Sequence, residues 1–241
     1  MNADTTLNNK RVLVNGCSFS RGPIAWPYYL QEKLNFDLVN LAVSSAGNKY
    51  IHDTTVAELS KSRYDFVIIM WSGLDRIDIP VEDIQLFDQC NTTSFAQSLK
   101  NDWPEKKIYP NNDQDLVEKN WVFVYPSKTL LNDMKFAEFV KYQNYQVHVR
   151  QSLIHMISLQ AVLKQFNIPY VFSFYMDYVD QLKTEKSLYD LLDWENICCT
   201  DNLYTISQRI DSYDSDGIHP GAKANQHWTT TLTNFINAKT Q

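Results

Sequence analysis

At 241 residues, 44% of them hydrophobic and 13% aromatic, the chain has the length of one large α/β unit and enough apolar side chain for a substantial core, which argues against disorder. The formal net charge is −6 and no basic cluster interrupts the sequence, so neither a nucleic-acid backbone nor an anionic membrane is the expected partner. No apolar run is long enough to span a bilayer, and residues 1–10 lack the apolar core of a signal peptide; the expectation is a soluble, cytoplasmic protein.

Arg11-Val12-Leu13-Val14-Asn15 reads as a short buried strand, with three apolar residues of which two are β-branched. Asn15-Gly16 then permits a sharp turn. Ser18 stands just past it, at the carboxyl end of the strand, where open α/β sheets bind ligands. Taken alone, Ser18 reads as a cap on the helix that follows. Pro27 fits the first turn of that helix, Tyr29, Leu30 and Leu34 give it an apolar stripe, and Asn35-Phe36-Asp37 ends it. Leu38 to Val43 reads as a second strand. Ser44-Ser45-Ala46-Gly47-Asn48 is a small-residue turn before a helix through about Leu59. Phe66 to Met70 is continuously apolar, as a strand buried on both faces should be, and Trp71-Ser72-Gly73-Leu74-Asp75-Arg76 follows it. Strand, polar turn and helix in repetition predict a parallel, doubly wound sheet with its loops on one rim.

Between Ile79 and about Met134 the pattern breaks into polar, proline-punctuated turns carrying Phe87, Phe95, Trp103, Tyr109, Trp121, Phe123 and Tyr125. An irregular insertion leaving that rim serves either as a lid or substrate wall, or as a small aromatic satellite core. Trp121 to Tyr125 fits one extra strand within it. A helical stretch is expected between about Phe136 and Phe166, with Val147, Leu153, Ile154, Ile157, Ala161 and Leu163 close to a stripe. Pro169 to Phe174 reads as a fourth parallel strand. Ala222 to Ala238 reads as an amphipathic helix with Trp228, Leu232, Phe235 and Ile236 facing inward. With no linker or repeat, residues 1–241 are read as one domain with an insertion at about 79–134.

His148 and His155 lack a third ligand at metal spacing, so they read as ordinary helix residues, and no metal or cofactor is expected. Cys17, Cys90, Cys198 and Cys199 contain no metal-type pair and read as reduced thiols. Cys17 adjoins Ser18, but one residue earlier on an extended turn its side chain should point the other way.

The chemistry concentrates in four loops. In Asp216-Gly217-Ile218-His219-Pro220 a carboxylate three residues before a histidine can hold the imidazole in one tautomer while the ring takes a proton from Ser18. Gly47 can offer a backbone N–H, and the loop after Gly73 a second donor. These are the components of acyl transfer through a serine ester.

In this order the motifs resemble those of the SGNH (or GDSL) hydrolases. Gly16-Cys17-Ser18-Phe19 is similar to their first block and Asn40 through Gly47-Asn48 to the second. Gly73-Leu74-Asp75-Arg76 is similar to the third block, and Asp216-Gly217-Ile218-His219-Pro220 to the last. The resemblance implies a flavodoxin-like three-layer α/β/α sandwich with Ser18, Asp216 and His219 as catalytic residues. It also implies an oxyanion hole from Ser18, Gly47 and the residue at the Asp75 position, where the family carries asparagine. An ionised carboxylate ~4 Å from an oxyanion costs about 4 kcal/mol at an effective dielectric near 20, so Asp75 should turn away and Asn48 supply the side-chain donor. Trp71, Ser72, Gly73 and Arg76 are the expected substrate contacts. The expected reaction is hydrolysis of an acyl ester on a sugar or other small polar molecule. Acyl transfer by the same triad, and a catalytically impaired module that binds a glycan or protein, are the alternatives. Oligomeric state is not legible.

Overall fold

The computed structural model describes residues 7–80, 121–124 and 145–239. Most of the expected insertion lies outside the described residues, with Cys90, Phe87, Phe95, Trp103, Tyr109 and Tyr125, and so does the expected helix before Tyr145.

Five parallel strands form the central sheet: β1 (Arg11–Asn15), β2 (Asp37–Asn40), β3 (Phe66–Trp71), β6 (Tyr170–Phe174) and β7 (Ile197–Cys198), in the order β2-β1-β3-β6-β7. The register brings Val12 beside both Leu38 and Phe66, and Ile69 beside Phe172. All of β3 and β6 is buried, as is β1 from Val12 to Asn15, which is the burial expected of parallel strands covered on both faces. Helices α1 (Trp26–Leu34), α6 (Leu203–Arg209) and α7 (Ala222–Lys239) pack as one group. Helices α2 (Asn48–Leu59), α3 (Tyr145–Gln165), α4 (Val179–Lys183) and α5 (Lys186–Tyr189) pack as another. The fold is therefore α/β with a parallel sheet between helical layers. A separate antiparallel pair joins β4 (Ile77–Pro80) to β5 (Trp121–Val124), with Ile77 opposite Val124, so the extra strand expected at Trp121 is present.

The elements follow their local chemistry. Helix α1 carries Pro27 in its first turn and ends on Asn35, whose left-handed φ of 53° closes the helix. Strand β2 is shorter than the apolar run that suggests it. The Asn40 side chain accepts the Ala42 N–H at 3.0 Å and donates to the Ser20 carbonyl at 2.8 Å, turning the chain out of the sheet. Helix α3 also differs from expectation: its buried face is His148, Val149, Ser152, Leu153, Met156, Leu159, Gln160 and Leu163, while Val147 and Ile154 are exposed. Five of these buried residues are apolar, Val149, Leu153, Met156, Leu159 and Leu163, a helical stripe that shares only Leu153 and Leu163 with the expected one. Ser152 and Gln160 are buried beside it, with hydrogen bonds to Asn48 and to the Leu191 carbonyl. Helix α7 buries Trp228, Leu232 and Ile236 as expected, with Phe235 partly buried.

Candidate active site

Residues from three loops meet in one cleft of about 400 Å³ at the carboxyl rim of the sheet. Ser18 and Phe19 come from the loop after β1, Ser44 from the loop after β2, and Asp214, Ser215, Asp216 and His219 from the loop before α7. Arg21, Pro23 and Ile24 complete the wall. The first loop is shaped by close approach: a Cβ on Gly16 would stand 2.5 Å from Ser20 Oγ and 3.1 Å from the Met70 carbonyl, so only glycine fits without displacement. Asn15, buried at its end, donates to the Ile51 carbonyl and to the Thr54 and Thr55 hydroxyls, anchoring the loop to α2. The chain then winds through one 3₁₀ turn, Ser18–Ser20, that leaves Ser18 partly exposed and buries Cys17 on the opposite side.

The last loop is a tight hairpin. Asp214 N–H donates to the His219 carbonyl at 2.7 Å, Tyr213 pairs with Pro220, and Gly217 takes a left-handed φ of 69°. Within it Asp216 Oδ1 accepts the N–H groups of Ile218 at 2.8 Å and His219 at 2.9 Å, while Oδ2 meets His219 Nδ1 in a short hydrogen bond. Partial burial works against the charge, but the ring and the two amides hold the Asp216 carboxyl down to about 2. An ionised carboxylate only accepts, so Nδ1 carries a proton, and in the ring's neutral form Nε2 is left as an acceptor. The His219 ring leans on Phe19 with centroids 5.6 Å apart, and Phe19 in turn lies 4.7 Å from Tyr175. Ser18 and His219 share the cleft wall without a direct hydrogen bond between their side chains.

The other sequence-based candidates lie elsewhere, and the expected roles of Gly47 and Asn48 as oxyanion donors and of Trp71 and Ser72 as substrate contacts do not match their placement. Gly47 N–H already donates to Asp78 Oδ1 at 2.7 Å, and Tyr50 N–H donates to Asp78 Oδ2 at 2.8 Å. Asp78 thus caps the amino end of α2, where the helix dipole favours a carboxylate. Asn48 is buried: Nδ2 donates to Ser152 Oγ at 3.0 Å and to the Ser72 carbonyl at 3.4 Å, and Oδ1 accepts the Ser72 N–H at 2.8 Å. Neither residue lines the Ser18 cleft. Asp75 is not among the residues lining the cleft. It is exposed, with one carboxylate oxygen 2.8 Å from where a Cβ on Gly73 would stand. Of the expected substrate contacts, Trp71 and Ser72 are fully buried and Gly73 lies beneath the Tyr175 and Tyr178 hydroxyls. Arg76 donates to the Ala46 carbonyl at 3.0 Å and stacks over Tyr175, bordering a second cavity with Lys49, Asp78, His148 and His155.

Two residues stand out that sequence reasoning left aside. Ser44 lines the cleft with its hydroxyl buried and unpartnered, and Ser45 after it takes a left-handed φ of 68°, an angle usually reserved for glycine. A serine pair in a turn signals neither feature. Asp78 reaches its amides only through the tertiary placement of β4. Among the described residues no group of three or more histidine, cysteine or carboxylate side chains is arranged to hold a metal ion, and no helix is long and apolar enough to cross a membrane.

No family profile and no curated protein matches the sequence. Solved structures do match in shape. The psychrotrophic esterase EstA from Pseudoalteromonas sp., in a structure inhibited by monoethylphosphonate, superposes with a TM-score of 0.51 at 13% identity, covering 95% of this chain and 97% of its own. TesA superposes with a TM-score of 0.53 at 12% identity, covering 94% and 98%. The fold is shared with these two proteins. At such identity the likeness speaks for the fold alone.

Proposed function

We propose that this protein is a serine hydrolase of the SGNH type that cleaves an acyl ester, with an O-acyl or O-acetyl group on a sugar or other small polar molecule as its substrate class. One observation carries the reading: the hydrogen-bonded Asp216–His219 pair stands on the wall of the cleft that also holds Ser18. In this mechanism His219 Nε2 takes the Ser18 proton as Oγ attacks the carbonyl carbon, and Asp216 stabilises the imidazolium that forms. The alcohol leaves with that proton, and water then attacks the acyl-serine with His219 again as base. Since Gly47 and Asn48 are engaged elsewhere, the Ser18 N–H and the Ser44 hydroxyl are the donors proposed for the oxyanion.

A fluorophosphonate, of the same phosphonyl class as the EstA inhibitor, tests this without a known substrate. The protein should acquire an adduct at Ser18, absent in Ser18→Ala, and should hydrolyse a chromogenic short-chain ester at least 10²-fold faster than His219→Ala. A folded protein with no Ser18 adduct and no ester turnover would overturn the reading. The engagement of Gly47 N–H by Asp78 favours a second reading, a catalytically impaired module that binds a glycan or protein, and that reading requires the negative result.

A further inference from the structure

A second Ser–His–Asp chain lies outside the cleft, where α2 packs on α3. His52 Nδ1 is 2.7 Å from Asp53 Oδ1, and His52 Nε2 is 3.0 Å from Ser158 Oγ. Lys49 bridges to the other Asp53 oxygen. Partial burial opposes the charge on Asp53, yet the hydrogen bonds from His52 and Lys49 hold its carboxyl down to about 2. Asp53 is therefore an acceptor only. In the ring's neutral form the proton facing Asp53 sits on Nδ1, which leaves Nε2 to accept from the Ser158 hydroxyl. His155 packs against the His52 ring with centroids 5.2 Å apart, and burial pushes its imidazole down to about 4, so it adds no cation beside the relay. Ser158 is partly exposed, and neither it nor His52 borders the Ser18 cleft.

We propose that Ser158 is a second reactive serine, activated by His52 and oriented through Asp53, that is modified by small electrophilic acyl or phosphonyl donors. With a fluorophosphonate, a bond forms from Ser158 Oγ to phosphorus and the phosphorus–fluorine bond breaks. Fluoride departs with the electron pair and the hydroxyl proton passes to His52 Nε2. With a thioester donor the thiolate departs instead and takes that proton. The N–H groups around Ser158 are engaged in the α3 helical ladder, so no oxyanion hole is available. The reaction is accordingly stoichiometric: it leaves a stable ester on the α2–α3 surface and does not turn over.

The test is peptide mapping by mass spectrometry after exposing the full chain to a small alkyl fluorophosphonate. The wild-type protein should carry an adduct on the peptide containing Ser158, and Ser18→Ala should retain it. Its rate should fall at least tenfold in His52→Gln, in keeping with the loss of a general base, and should also fall in Asp53→Asn. An unmodified Ser158 in the wild-type protein overturns the proposal, a result that needs no variant to fold. An unchanged Ser158 rate in His52→Gln overturns it as well. Because the adducts at Ser18 and Ser158 are read on different peptides, failure at one site leaves the other site's result standing.

Discussion

Asn48 and Ser44 exchange the roles that sequence assigns them. An asparagine next to a turn glycine looks like a free amide donor, whereas in the fold its side chain ties Ser72 after β3 to Ser152 on α3. Removing it leaves buried partners unmade, so Asn48→Ala should lower stability by about 1–3 kcal/mol in urea denaturation. The kcat of the folded variant on a chromogenic ester, under the proposed hydrolase reading, should change less than about tenfold. Ser44→Ala should do the opposite. The buried, unpartnered hydroxyl contributes little to stability, but if it meets the oxyanion its loss lowers kcat by about 10²-fold with KM nearly unchanged. Steady-state kinetics on one chromogenic ester separates the two, and a reversed pattern would reinstate Asn48 as the donor.

At the level of elements, the decisive contact is the cap that β4 places on α2. Asp78 is 6% exposed, and that burial pushes its carboxyl up to about 6 against the pull of the Tyr50 and Gly47 amides. The sign follows from linkage. A carboxyl raised in the folded state above its unfolded value binds its proton more tightly when folded. Its contribution is then complete below about pH 4 and is lost as pH rises through about 6. A shift of that size corresponds to roughly 3 kcal/mol. The difference in unfolding free energy between Asp78→Asn and wild type should therefore move in favour of the variant by about that amount between pH 4 and pH 7, read from urea titrations at each pH. A difference flat with pH would mean that Asp78 is not the titrating group.

On the scale of the whole molecule, Asn225 joins the two ends of the chain. Its Oδ1 accepts the Trp26 N–H at 2.9 Å, and Nδ2 donates to the carbonyls of Pro220 at 2.8 Å and Gly221 at 3.1 Å. One side chain from α7 thus holds the start of α1 and the loop bearing His219, two walls of the same cleft. Asn225→Ala should lower stability by about 1–3 kcal/mol and reduce kcat/KM on a small ester at least tenfold. A lower denaturation midpoint with unchanged kcat/KM would show that the cleft does not depend on this tie.

Much of this architecture was legible in the residues themselves. The apolar runs at Val12–Val14 and Phe66–Met70, and Tyr170–Phe174 with Ser173 as its one polar residue, fit strands covered on both faces, and the turns between them leave parallel connection as the simple solution. The Asp216–His219 pairing was legible too, because three residues of tight turn suffice to bring carboxylate and ring together. What only the tertiary structure decided were contacts between distant segments. Polar groups must find partners wherever burial takes them, and sequence does not say which partner will be near. Thus Asp78 claimed the amide of Gly47 from 31 positions away, and Ser152 claimed Asn48 from 104. Local chemistry settles the elements, but the direction in which each donor points is set by whatever folds against it.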